Sequence, residues 1–588
     1  MAAGLISDGN EEKNMRKLLN READGTFTVS AATYSLRIAG HQIGVSVENN
    51  LFATLDVRCS VPQTKEDDSG AVPDPEPQFP KLTEVREENG RAVFIWENES
   101  ALWHKTYVLT CDWLRFHFAL TLYGTGRVDE IYYFSGNMGG AWGSAYEFQE
   151  GFTPCISWYN EEDYVFKASM NCHRWSVLMV PPMFCYAFRC ENMTRRLGLG
   201  LVAQRGEHNF HSFDYRTHPI GAFRTGFALV TDQHGHTAVD GDWTAPAVIG
   251  YSGDDQWDIL RQYTDYYFSS GIAIPKSRKP VPRFWHGPLV CGWIEQNARS
   301  LADVPHIPSP DLANQSVYET IAEEIRKHKL HPTAIIIDDK WQSHYATDIA
   351  DPEKWPDLRG FVDKRRAEGL RTMLWFKLWD PDGWDRDLCV TTDRGEVRLD
   401  PSQPKFLANL DEALHRILSP DEGCYDCDGF KLDFAFYNPI GRKVHTYSGK
   451  YGVELLYEMQ AYIYRKAKEI KPDALINCSP CHPYFAHICD QARLHDYDYR
   501  NRNNREDLTM RGKLFATAMP GVLLDTDNAG FANYRDTIHW QLTQHMVGVP
   551  DLYSLIGTET CPMDEADYAA IAQMWDEYNA KTDAMYEV

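Results

Sequence analysis

From residue 284 onward the chain alternates short apolar runs with amphipathic helical stretches, and nothing else in the sequence restricts its fold as tightly. The strand-like runs are Pro288–Trp293, Ala334–Asp338, Arg371–Phe376, Asp428–Phe436, Ala474–Cys478, Ala492–His495, Gly521–Asp525 and a short stretch from Val547 to Leu552. Helical patterns separate them. One carries Val317, Ile321 and Ile325 on one face, with Glu323, Glu324, Arg326 and Lys327 opposite. About eight βα units in roughly 300 residues specify an α/β fold in which a parallel sheet closes into a (β/α)8 TIM barrel. A helix around Glu565 to Ala580 ends the chain.

The first half reads differently. Tyr34–Ala39, Gly44–Glu48, Ala92–Trp96 and Phe116–Tyr123 alternate and are rich in β-branched and aromatic residues, with Gly, Asn, Asp and Pro turns between them. Ser60 to Lys81 reads as a long polar loop. The expected organisation is a large all-β sandwich over 1–270, a stiff Pro-rich linker over 271–283 and a catalytic barrel over 284–588.

The net charge of −25 argues against nucleic acid or an anionic membrane as partner, and no apolar run approaches the twenty residues of a membrane span. The first residues have neither a basic nor an apolar signal region, and 14 cysteines without such a signal fit reduced thiols in the cytoplasm. Two C-x-x-C pairs, Cys424/Cys427 and Cys478/Cys481, fall at opposite ends of successive parallel strands, so they cannot share a zinc ion. His234-x-His236 stands in the β half, away from any barrel metal site. The expectation is no metal and no cofactor. Without a GxSxG elbow or a Gly-rich phosphate loop, serine acyl chemistry and nucleotide chemistry also lack support.

In a TIM barrel the working residues lie at the C-terminal ends of the strands. Those ends read Trp293, Asp338/Asp339, Trp375, Lys431/Asp433, Cys478, Asp496 and Asp525, an acidic and aromatic rim. A single strand-end Asp such as Asp433 more often caps the next element or pairs with a nearby lysine, here Lys431. Carboxylates at several successive strand ends reverse that preference. Carboxylates hold sugar hydroxyls, tryptophan faces stack on pyranose rings, and glycosidic cleavage needs one ionised and one protonated carboxyl. A small oligosaccharide or glycoside is the expected partner, and the oligomeric state stays open.

Five stretches resemble glycoside hydrolase family 36, the α-galactosidases, and more distantly families 27 and 31. They are Ile336-Ile-Asp-Asp-Lys-Trp-Gln342, Trp355-Pro-Asp-Leu through Trp375, Phe430-Lys-Leu-Asp433, Asn477-Cys-Ser-Pro480 and Arg493-Leu-His-Asp496. The resemblance implies that Asp433 is the nucleophile and Asp496 the general acid/base of a retaining α-galactosidase, with Asp490 and Asp498 as rivals of Asp496. It further implies that Asp338 and Asp339 grip the 4- and 6-hydroxyls, and that Trp341 and Trp375 wall the sugar site. Lys431 would bind hydroxyls and keep Asp433 ionised, Cys478 would line the 2-position, and Arg493 would orient Asp496 or bind a 2-substituent.

The sequence departs from the family at Lys340, where Gly is usual, at Lys377 with Trp379–Trp384, and at Cys481–Phe485 in place of a Ser-Gly-Gly-Gly segment. These departures leave open an N-acetylated, acidic or glucose-type sugar, transfer rather than hydrolysis, and a non-catalytic carbohydrate-binding role. Lys377 reads either as a solvated loop lysine or as a contact for an acidic sugar.

Overall fold

The computed structural model describes residues 17–134, 153–154, 181–189, 193–219, 225–277, 280–302, 306–494, 504–527, 548–552, 557–558 and 561–586. The second half is an eight-stranded parallel barrel. Its strands are β1 (Leu289–Cys291), β2 (Ala334–Ile337), β3 (Arg371–Lys377), β4 (Gly429–Asp433), β5 (Leu475–Cys478), β6 (Gln491–Arg493), β7 (Leu523–Asp525) and β8 (Asp551–Leu552). Neighbours pair in chain order, β8 pairs with β1, and a single parallel bridge between Asp525 and Val549 joins the β7 and β8 segments.

Successive side chains on a strand point to opposite faces, and the packing follows that rule. Leu289, Cys291, Ala334, Ile336, Met373, Leu475 and Val549 form a cluster inside the barrel. Val290, Ile335, Ile337, Leu374, Phe376, Phe430, Leu432, Ile476 and Ala492 join the larger core outside it. Continuing the inward series brings Asp338, Trp375, Lys431, Asp433, Asn477, Arg493, Asp525 and Asp551 to the upper barrel interior.

Two elements differ from the sequence reading. The expected strand Asp428–Phe436 stops at Asp433, because Phe434 turns left-handed at φ +61° and a 3-10 turn follows over Ala435–Tyr437. A helix the sequence did not suggest, Trp293–Ala302, starts directly after β1.

The first half contains a five-stranded and a twelve-stranded antiparallel sheet. The stretch expected as a polar loop over Ser60 to Lys81 is partly folded in. Asp74 and Glu76 are buried beside Lys105, whose Nζ lies 2.5 Å from Asp74, and Tyr107 donates to Glu76. Burial of the three groups is tolerable because the one ammonium faces both carboxyls, and burial raises that of Glu76 toward its neutral form.

This sheet region grips the segment 434–451, between the end of β4 and the helix Gly452–Ile470. Asp129 takes both arms of Arg442 at 2.7 and 2.9 Å. Asp68 meets His445 at 2.8 Å, His236 meets the Gly441 carbonyl at 2.8 Å, and His234 meets the Tyr451 hydroxyl at 2.7 Å. At the helix start, Val453 and Glu454 donate backbone N–H groups to the carbonyls of Phe210 and His208. Gly452 has φ +56°, and a Cβ there would stand 2.1 Å from the Phe210 carbonyl oxygen. The atoms it would meet belong to the Phe210–His211 backbone, which cannot swing aside as a side chain could. Gly452→Ala is therefore expected to lower stability by about 2 kcal/mol or more, read as a drop in the denaturation midpoint.

Candidate active site

Three donors converge on Asp433 at the end of β4. Trp375 Nε1 donates to Oδ2 at 3.0 Å, while an Arg493 guanidinium N–H and the Phe434 backbone N–H each donate to Oδ1 at 2.8 Å. Arg493 is buried and the Asp433 side chain retains 18% exposure. That is the arrangement of an oriented anion with one open side.

Lys431, two residues earlier on the same face, turns to Asp338. Its Nζ lies 2.8 Å from Asp338 Oδ2, which also accepts from the Cys291 thiol at 3.0 Å. Burial works against the Lys431 ammonium, yet the Asp338 carboxylate overrides it and holds the group well above the ordinary lysine range. The other oxygen, Asp338 Oδ1, accepts the Asp339 backbone N–H at 2.8 Å. Asp338 is thus a buried floor residue. Asp339 is the more open of the two, and its Oδ1 accepts from the Tyr345 hydroxyl at 2.8 Å. Burial pushes the Asp339 carboxyl up to about 6 against that hydrogen bond; the charges of Asp338 and Asp433 add to the rise, and Lys377 opposes it.

The far wall is also polar. Asn477 donates to Gln491 and to Asp525 Oδ2, each at 2.7 Å. Burial raises the Asp525 carboxyl against hydrogen bonds from the Asp527 backbone and Asn477. Burial raises Asp551 much further, with Asp525 and Asp527 adding to it. Among the described residues no three His, Cys, Asp or Glu side chains form a group that could hold a metal ion.

With this geometry in hand, solved structures match the architecture at low sequence identity. The galactosidase domain of the α-galactosidase–sucrose kinase AgaSK aligns over 97% of this chain and 87% of its own, at 11% identity and a TM-score of 0.53. A family 31 sulfoquinovosidase from E. rectale, solved with an aza-sugar inhibitor, aligns over 94% and 84% at 11% identity and 0.54. The family 36 α-galactosidase AgaB from Geobacillus stearothermophilus aligns over 96% and 86% at 12% identity and 0.52. The chain has the fold of the TIM-barrel glycosidases. No family model and no curated protein matches it in sequence.

The barrel separates the residues singled out from sequence. Asp338, Asp339, Trp375, Lys431, Asp433 and Arg493 come together at the upper barrel interior. Arg493, expected to serve Asp496 or a 2-substituent, reaches Asp433. Trp293 heads its helix, half-buried against the inner barrel cluster.

Two expectations are corrected. Cys478 does not line the interior: strand alternation sends Asn477 inward and Cys478 outward, where Gln460 of the helix Gly452–Ile470 donates to its sulfur at 3.1 Å. Trp341 is not a wall of the site. It is fully buried in the outer core, and its indole N–H donates to the Trp375 carbonyl at 2.7 Å, so it buttresses Trp375 from behind.

Asp490 is removed from the rivals for acid/base. It precedes β6 at the opposite barrel end, paired with Lys276 and Lys468 at 2.7 Å each. Asp496 and Asp498 lie outside the described residues. Sequence reasoning missed Tyr345, Cys291, Asn477 and Asp551. Period-two alternation on β1, β5 and β8 was a usable indication for the last three.

Proposed function

We propose that the protein is a retaining α-glycosidase that hydrolyses terminal α-galactosides, with Asp433 as nucleophile and Asp496 as general acid/base. The observation that carries the reading is the triple hold on Asp433. A carboxylate that attacks an anomeric carbon must be ionised, fixed in direction and open on one side. Trp375, Arg493 and the Phe434 amide meet the first two needs, and the residual exposure meets the third. Attack would form a β-glycosyl ester as Asp496 protonates the departing oxygen; water, deprotonated by the same residue, would then release the sugar with its α configuration.

The rim favours an uncharged sugar. Lys340 is paired with Asp382 at 2.6 Å and Lys377 with Asp380 at 2.9 Å, so each cation already has a carboxylate partner within the site wall. Likeness to α-galactosidases supports galactose among uncharged sugars. The free state of ten described cysteines supports a cytoplasmic location as part of the same proposal.

The test is hydrolysis of aryl α-galactoside, α-N-acetylgalactosaminide, α-glucoside and α-sulfoquinovoside, with the first-formed anomer followed by NMR. Turnover of the galactoside with the α-anomer appearing first is expected. A β-anomer first, or no turnover by folded protein, overturns the proposal.

A further inference from the structure

Lys340 holds a left-handed backbone, φ +76°. Glycine would adopt this conformation freely, whereas a residue with a Cβ pays about 1 kcal/mol or more. The side chain shows what compensates. Lys340 Nζ pairs with Asp382 and stands 3.8 Å from the centre of the Tyr345 ring. Lys377, from the end of β3, places its Nζ 4.1 Å from the same ring and 4.8 Å from that of Phe434, the neighbour of Asp433. Asp382 also accepts from His344 at 3.1 Å and from the Tyr345 backbone N–H at 3.3 Å, tying the loops after β2 and β3 together. Two ammonium groups on one ring fix Tyr345, and a fixed ring fixes where its hydroxyl points.

That hydroxyl points at Asp339 Oδ1. Of the four oxygens of Asp338 and Asp339, three accept hydrogen bonds from described residues; Asp339 Oδ2 does not. We propose that Lys340, Tyr345 and Lys377 form a clamp that holds Asp339 as an ionised acceptor with one oxygen, Oδ2, presented to a ligand hydroxyl. Tyr345 is then a positioning residue of the sugar site. The assignment of the ligand as a sugar rests on the glycosidase reading; the clamp itself rests on the contacts. Acting most strongly on Asp339 are its burial, the Tyr345 hydroxyl and the charges of Asp338, Lys377 and Asp433, with Lys377 itself paired to Asp380. Burial and two anions favour its neutral form; the hydrogen bond from Tyr345 and the charge of Lys377 oppose them. Removing either partner shifts that balance toward the neutral acid.

The experiment is a carboxyl-13C NMR titration of protein labelled at aspartate, with Asp339→Asn assigning the resonance. The wild-type midpoint is expected near the value of about 6 to which burial brings Asp339. Tyr345→Phe should move it upward, and Lys340→Gly should move it in the same direction without lowering Tm, since glycine relieves the backbone strain. In glycoside turnover, kcat/KM should fall about tenfold at pH 7 in Tyr345→Phe, with its acid limb displaced to higher pH. An Asp339 midpoint unmoved in folded Tyr345→Phe overturns the clamp. A midpoint that moves in a protein turning over no glycoside leaves the clamp standing and defeats the glycosidase reading, so the two failures are separable.

Discussion

Asp433→Asn will eliminate glycoside turnover, lowering kcat/KM on the order of 10⁴-fold or more, while the barrel stays folded. Asparagine keeps the shape of the side chain, and its carbonyl can still accept from Arg493 and the Phe434 amide. What it loses is the charge and the ability to form a glycosyl ester. The choice of Asn over Ala matters because Ala would withdraw from buried Arg493 the carboxylate it now contacts at 2.8 Å, mixing a folding defect into the measurement. Single-turnover kinetics on an activated aryl glycoside, alongside a melting curve within a few degrees of wild type, checks the expectation. Activity within tenfold of wild type would remove Asp433 from the reaction.

The next largest effect is expected at Arg493. Arg493→Met should lower kcat/KM on the order of 10²- to 10³-fold, corresponding to about 3–4 kcal/mol for breaking a buried charged contact. Without the guanidinium, Asp433 loses one of two donors to Oδ1 and a charged partner, so its carboxylate is less firmly aimed. Arg493→Lys should recover part of the loss, because a shorter ammonium restores charge but not the reach and planarity of the fork. A methionine variant with an undiminished rate would show that Trp375 and the Phe434 amide hold Asp433 unaided.

Much of the barrel was legible because its determinants are local. Runs such as Ala334–Ile337 and Phe430–Asp433 are short, apolar and separated by amphipathic helices, and parallel strands need such crossovers. Asp338, Trp375, Lys431 and Asp433, which continue the inward alternation, were legible for the same reason, whereas Asn477 was passed over for its neighbour Cys478. Pairings across the barrel were not. Lys431 is two residues from Asp433 in sequence, yet Asp338 lies at hydrogen-bonding distance across β3, and only the closed register shows it.

Cys478 and Trp341 were misplaced when likeness of motif was preferred to strand parity and to a backbone turn. The left-handed step at Lys340 breaks the inward series just before Trp341, and a lysine at that position gives no notice of it. The tucking of Ser60–Lys81 into the sheet region was equally hidden, since Asp74 and Glu76 look solvated until Lys105 is brought beside them.

The grip of the sheet region on segment 434–451 bears on how such a protein can be recombined. The strand that ends in Asp433 belongs to the barrel, but the chain leaving it is moored by Asp68, Asp129, His234 and His236 from the other half. Transplanting the barrel onto a foreign companion would transfer the strands and strip the moorings. The two halves are therefore heritable as a unit: modular in architecture, indivisible in use.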